Sequence, residues 1–245
     1  HQWAAKGPIA LTLRAGMFWD RYGYIEPYDT YLLARTHVSG LSFRLRWVRD
    51  GLSPYFHGGF GAHADVINAN QGFTPMMWGA AGVDGTMGRS RLDLRLFGLS
   101  TWTGDTREFS IVEKGVMTVE GAEIRWSHPS FGYFQNTVSH VAAHRIFYLA
   151  NGVELLHSLG GAGLTTNYLG TDSDSGTGEI LANAHDIRWQ PTGTLRALGS
   201  KSMAHAFRGF EQRFFGMWAW VLSRQQRENP LEDKHNRDYF KWGTE

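Results

Sequence analysis

No cysteine occurs in the 245 residues, which excludes disulfide frameworks, thiolate metal sites and thiol catalysis. Proline is scarce, at seven, and no apolar run approaches the roughly 18 residues of a transmembrane helix. The run Phe214–Leu222, near the end, is the longest in that region and falls well short. Charge of one sign is lacking too. Lys and Arg total 24 against 23 Asp and Glu, so no broad basic field points to nucleic acid. Lysine is rare beside arginine. The sequence opens at His1 without an initiator Met, a basic n-region or a cleavage site, so any signal peptide is expected to have been removed or never included. Glycine, by contrast, is abundant at 30, and aromatics make up 14%. That mixture suits strands joined by tight turns better than disorder.

The stretch Pro8–Asp20, PIALTLRAGMFWD, carries the clearest pattern. Ile9, Leu11, Leu13, Ala15, Met17 and Trp19 alternate with Ala10, Thr12, Arg14, Gly16, Phe18 and Asp20. Alternate side chains of an extended strand point to opposite faces, so one face is apolar and the other carries charge. Leu41–Arg49 repeats it, with Leu41, Phe43, Leu45 and Trp47 opposite Ser42, Arg44 and Arg46, and Asp50-Gly51 follows as a turn signal. Ser90–Trp102 does the same, with Leu92, Leu94 and Leu96 against Arg91, Asp93 and Arg95. Val116–Trp126 sets Val116, Ala122, Ile124 and Trp126 against Glu123 and Arg125, although Glu120 falls on the apolar side. Glu179–Gln190 alternates less cleanly, and Phe214–Ser223 is apolar or aromatic on both faces.

Weaker strand candidates are Tyr31–Val38, Tyr55–Ala64, Phe73–Gly82, Glu108–Glu113, His140–Leu149 and Thr194–Met203. Asp50-Gly51, Asp84-Gly85, Gly104-Asp105, Asn151-Gly152 and Pro191–Gly193 read as separators. Asn136–Leu159 reads as a hairpin interrupted at Asn151-Gly152, and Ala204–Phe215 has some helical character. Gly161–Gly178 and Arg224–Asp238 read as solvated loops. A spacing of roughly 15–20 residues per strand and turn exceeds the ~8–12 of soluble sandwiches and favours long tilted strands.

Alternation cannot tell inside from outside. Three further features favour apolar-out. Trp19, Trp47, Trp102, Trp126 and Trp189 recur near strand ends, as interfacial girdles require. Arginine, the preferred cation for paired charges, dominates over lysine. The strands are long. The fold expected is all-β, an antiparallel up-and-down transmembrane β-barrel of roughly 10–14 strands. Residues 1–245 are expected to form one barrel domain, a fragment lacking strands at its C-terminus or at both ends, because Tyr239–Glu245 reads as the opening of a strand that stops. Arg14, Arg44, Arg46, Arg91, Asp93 and Arg95 are the expected pore-lining set, steering anionic solutes or pairing with one another across strands.

Met17–His37, MFWDRYGYIEPYDTYLLARTH, resembles Gram-negative outer-membrane porin-like barrels of a deltaproteobacterial type, as do Gly59–Pro75 and Asn151–Leu164. The resemblance runs diffusely along most of the chain. It implies an antiparallel barrel in the bacterial outer membrane, generally of unassigned transport role.

Other chemistry is thinly signalled. His140 and His144 would share a helix face as metal ligands, but on a strand they lie too far apart for a compact site. His57 and His63 sit in a glycine-rich stretch with the same weakness. Asp172–Gly176 departs from a calcium loop because its glycine comes one position early. No G-x-S-x-G elbow or P-loop occurs. No metal, cofactor or catalytic residue is expected. The expected function is a porin-like channel for small polar or anionic solutes, or a structural barrel, contacting outer-membrane lipid and no nucleic acid. The oligomeric state is not fixed by sequence. Two other classes stay open. A lipid hydrolase of the outer membrane needs Ser and His within hydrogen-bond reach, and a soluble all-β carbohydrate-binding module would use aromatics to stack on sugars.

Overall fold

The computed structural model describes residues 2–5, 8–21, 35–63, 75–102, 116–144, 178–223 and 236–245. Eleven strands form one sheet in which every sequence neighbour is a spatial neighbour. They are β1 (Gln2–Ala5), β2 (Ile9–Arg21), β3 (Arg35–Trp47), β4 (Leu52–His63), β5 (Pro75–Met87), β6 (Ser90–Trp102), β7 (Val116–His128), β8 (Gly132–His144), β9 (Gly178–Trp189), β10 (Gln212–Ser223) and β11 (Asn236–Thr244). All pairings are antiparallel. The sheet is open, because no described residue of β1 pairs with β11. Its all-β, up-and-down character is as the alternation predicts.

Most strands run 12 or 13 residues, about twice the usual length. Their ends differ sharply. At one end the links are short, 6–8, 48–51, 88–89 and 129–131, except for 190–211. That longer link folds as two short helices, α1 (Pro191–Ala197) and α2 (Lys201–Ala206). At the other end the links are all long: 22–34, 64–74, 103–115, 145–177 and 224–235.

Several local expectations are corrected. Asp84-Gly85 is not a turn but lies inside β5, and the chain reverses at Gly88, in a left-handed conformation (φ 62°). Tyr31–Val38 and Leu41–Arg49 are not separate strands, since Arg35–Trp47 is continuous. Thr194–Met203 is not a strand. Pro191 starts α1, where a missing N–H costs nothing, and Leu195, Arg196 and Ala197 are good helix formers. Asn236–Asp238, expected in a loop, opens β11. His140 belongs to β8, as does the first arm of the expected Asn136–Leu159 hairpin. Glu108–Glu113, Gly104-Asp105, Asn151-Gly152 and nearly all of Gly161–Gly178 lie outside the described residues.

The sheet is strongly curved. Arg46 on β3 reaches Asp84 on β5, and Tyr55 on β4 reaches Asp93 on β6. Trp78 on β5 donates to Asp20 on β2, strands about 14 Å apart in a flat sheet. Such contacts require a concave face. No helix among the described residues is long and apolar enough to cross a membrane, which says nothing of strands.

Candidate functional site

The concave face is buried and, near the short-turn end, ionic. Asp84 and Asp93 lie directly opposite each other across β5 and β6. Two carboxylates so placed repel unless neutralised, and arginines converge from both sides. The Nε of Arg46 donates to Asp84 at 2.9 Å, and an Arg44 nitrogen lies 3.7 Å from its other oxygen. Arg95 and Arg125 each donate to Asp93 Oδ2 at 2.7 Å, while the Tyr55 hydroxyl donates to Oδ1 at 3.0 Å. Arg44 and Arg95 also stand over the Tyr55 ring. Glu123 sits 3.8 Å from Arg95 and accepts from Thr137.

A second cluster continues the belt. Arg213 grips Asp186 with both Nε and a terminal nitrogen, each at 3.0 Å, in the bidentate geometry that favours arginine. Arg188 adds a third donor at 3.1 Å, and Arg213 also reaches Glu245 at 2.9 Å. The belt thus runs from β3 to β10. Asp93, Arg95, Glu123 and Asp186 are each at most 6% exposed. Charges this deep are stable only when paired.

Of the six residues expected to line a pore, Arg44, Arg46, Asp93 and Arg95 join this belt. Arg14 instead reaches along β2 to Asp20 at 3.4 Å. Arg91 is exposed at the short-turn rim and makes no ion pair among the described residues. Parity put Asp186 on the polar face of Glu179–Gln190, though not in the pore-lining set, and Asp84 and Arg213 were not singled out from sequence. Asp84 resembled a turn residue, and Arg213 lay within Ala204–Phe215, a segment of some helical character; strand parity was the signal available for both.

Toward the long-link end the same face becomes apolar. Met76, Trp78, Phe97, Leu99, Met117 and Val119 are all 6% exposed or less. One polar hub interrupts them. Asp20 accepts from the Trp78 indole and the His57 ring, each at 2.8 Å. Among the described residues no serine hydroxyl bonds a histidine ring, and no group of three acidic or histidine side chains is arranged to hold a metal.

The convex face is the reverse. Among the described residues twenty-four large apolar side chains on the strands are exposed there, among them Leu13, Met17, Leu41, Phe43, Phe56, Phe60, Leu94 and Leu96. Trp47, Trp189 and Trp242 are exposed near the short-turn end, and Trp126 is half-buried there, stacked on His128. Trp19 and Trp102 are exposed at the opposite end. The register fixes the distance between the two rows. Trp19 pairs with His37, ten residues from Trp47 along β3, and Trp126 pairs with Leu92, ten residues from Trp102 along β6. Between the rows, His140 faces outward among the described residues, 3.2 Å from Glu120 and 3.7 Å from Glu179, and His185 is exposed on the same face.

Set against known proteins, the chain matches no family model, no curated protein and no solved structure. The resemblance to porin-like barrels therefore rests on the residues quoted for it alone.

Proposed function

We propose that this chain forms the wall of a membrane-spanning up-and-down β-barrel of outer-membrane type, held by an internal lattice of paired charges. The observation that carries this reading is the exposed apolar face bounded by two tryptophan rows. Ten residues at about 3.3 Å each cover about 33 Å along a strand. At a tilt of about 40° that is about 25 Å along a barrel axis, the height of the apolar band in outer-membrane barrels. A soluble protein exposing twenty-four large apolar side chains on one face of its strands would aggregate. Alternate short and long links fit the same architecture, with turns on one side of the membrane and loops on the other.

Eleven alternating strands leave β1 and β11 parallel to each other. In lipid both edges must be covered, by parallel closure or by a further strand from this protein or another chain.

Paired charges favour a structural barrel over an anion-selective porin. Every belt arginine has a carboxylate partner, so little net field remains to attract solutes. The hydrolase reading lacks a Ser–His pair among the described residues. The test is reconstitution. The full chain should float with liposomes, resist alkaline extraction and keep its strand content in the bilayer. A monomer soluble without detergent would refute the proposal and favour a soluble binding module.

A further inference from the structure

We infer that the helical link between β9 and β10 is an interfacial anchor that binds anionic phospholipid headgroups at the short-turn side; this rests on the membrane-spanning reading above. The other short-end links need only two to four residues, whereas 190–211 is far longer than a hairpin requires. It folds back on itself at Gly199 (φ 84°) and buries little beyond Pro191 and Ala204. Leu198, Met203, Phe207 and Phe210 are exposed, Leu198 by 77%. Between Pro191 and Phe210 stand Arg196, Lys201, Arg208 and His205, and no carboxylate at all. None of the three permanent cations has an ion-pair partner among the described residues. Exposed apolar side chains interleaved with unpaired cations are the chemistry of an element lying in a headgroup layer.

Its position agrees. The exposed Trp189 indole donates to Thr194 Oγ1 at 3.0 Å, which makes the link continuous with the short-end tryptophan row. The backbone N–H of Gln190 bonds the Phe131 carbonyl, fastening the link to the β7–β8 turn. Charge divides the same way between the two ends. The short links carry Lys6, Arg49, Arg89, Arg196, Lys201 and Arg208 against Asp50 and Glu211. In four of the five long links acidic residues outnumber Lys and Arg, and in the fifth they balance. A second copy of this surface would present like charge to like charge, so self-association does not suit it. An anionic leaflet does.

The test uses the full chain refolded into vesicles of phosphatidylcholine, alone or mixed with phosphatidylglycerol. Because the chain has no cysteine, Met203→Cys carries a single polarity-sensitive fluorophore, and Leu96→Cys carries one on the outward strand face. The Met203 label should be quenched by shallow spin-labelled lipid, more strongly with phosphatidylglycerol present. Replacing Arg196, Lys201 and Arg208 with Gln should abolish that difference, with the bound-to-free ratio falling about fivefold per cation and on the order of a hundredfold for all three. A Met203 label that stays aqueous in both vesicles, or is shielded only at high protein density, overturns the inference while deep quenching at Leu96 leaves the barrel intact. A Leu96 label out of reach of lipid overturns both.

Discussion

Leu96→Arg separates lipid from water as the solvent of the outward face. Leu96 is 66% exposed and pairs with Ala81 and Ala122 on its neighbouring strands, so an arginine there displaces no packed side chain. It stands four residues from the rung of Trp126 and six from Trp102, roughly 13 and 20 Å along the strand, near the middle of the band. In water the change should move stability by no more than about 0.5 kcal/mol. At a bilayer midplane it should cost about 2–4 kcal/mol, roughly a thirtyfold to thousandfold drop in the folded-to-unfolded ratio. Val48→Arg, in the short link beyond the Trp47 row, should cost no more than about 1 kcal/mol. Reversible denaturant unfolding from vesicles, followed by tryptophan fluorescence, reads both variants against the parent. Equal midpoints for Leu96→Arg and Val48→Arg, at an unchanged slope, would refute a lipid-facing band.

Further substitutions probe the wall. Asp93→Asn leaves the nearly inaccessible Arg95 and its neighbour Arg125 short of charge, and should cost about 3–5 kcal/mol in denaturant unfolding. Asp93→Leu combined with Arg95→Met should recover much of that loss, because a buried ion pair and its apolar replacement are often close in energy. Gly59→Val drives a side chain into the Trp78 indole and toward the Leu41 carbonyl. It should lower the melting temperature by far more than Gly98→Ala, whose added carbon meets only the Val119 carbonyl at 3.3 Å. Glu120→Leu removes a carboxylate from the outward band and should raise stability in vesicles by about 1 kcal/mol. A fall instead would mean that pairing with His140 outweighs the cost of keeping a charge there.

Strand identity and facing were legible because one rule governs both. In the short-turn halves of β2, β3 and β6 the period-two pattern holds, and the side chains fall where parity puts them: Leu94 and Leu96 out, Asp93 and Arg95 in. Two kinds of feature escaped. Asp84-Gly85 has the composition of a turn, yet Arg44 and Arg46 draw Asp84 into the interior and the strand runs on past it. No local property of the dipeptide announces arginines two strands away. The helices over Pro191–Ala206 escaped because short segments of mixed residues fit either period, and what decides is Pro191 at a helix start and Gly199 between the two. The charged belt was half legible. Parity named Arg44, Arg46, Asp93 and Arg95 as sharing a face, but not that curvature would bring alternate strands within bonding reach.

The division of the interior bears on whether anything passes through it. A porin offers water a polar wall along its whole length. On the concave face the ionic belt occupies only the short-turn half, and in the proposed barrel a solute would next meet Met76, Trp78, Phe97, Leu99, Met117 and Val119. An apolar constriction sheds water and blocks ions even where its diameter would admit them. The full chain in planar bilayers should therefore give no discrete porin-sized steps and no anion preference. Trp78→Ala with Phe97→Ala removes two rings from that zone and should make vesicles leak small solutes, provided strand content is unchanged by circular dichroism. Arg46→Gln should leave the baseline untouched, since the charge it removes faces Asp84 rather than a conducting path. Discrete anion-selective channels from the unaltered chain, weakened by Arg46→Gln, would show instead that the arginines face water and that the belt is a filter.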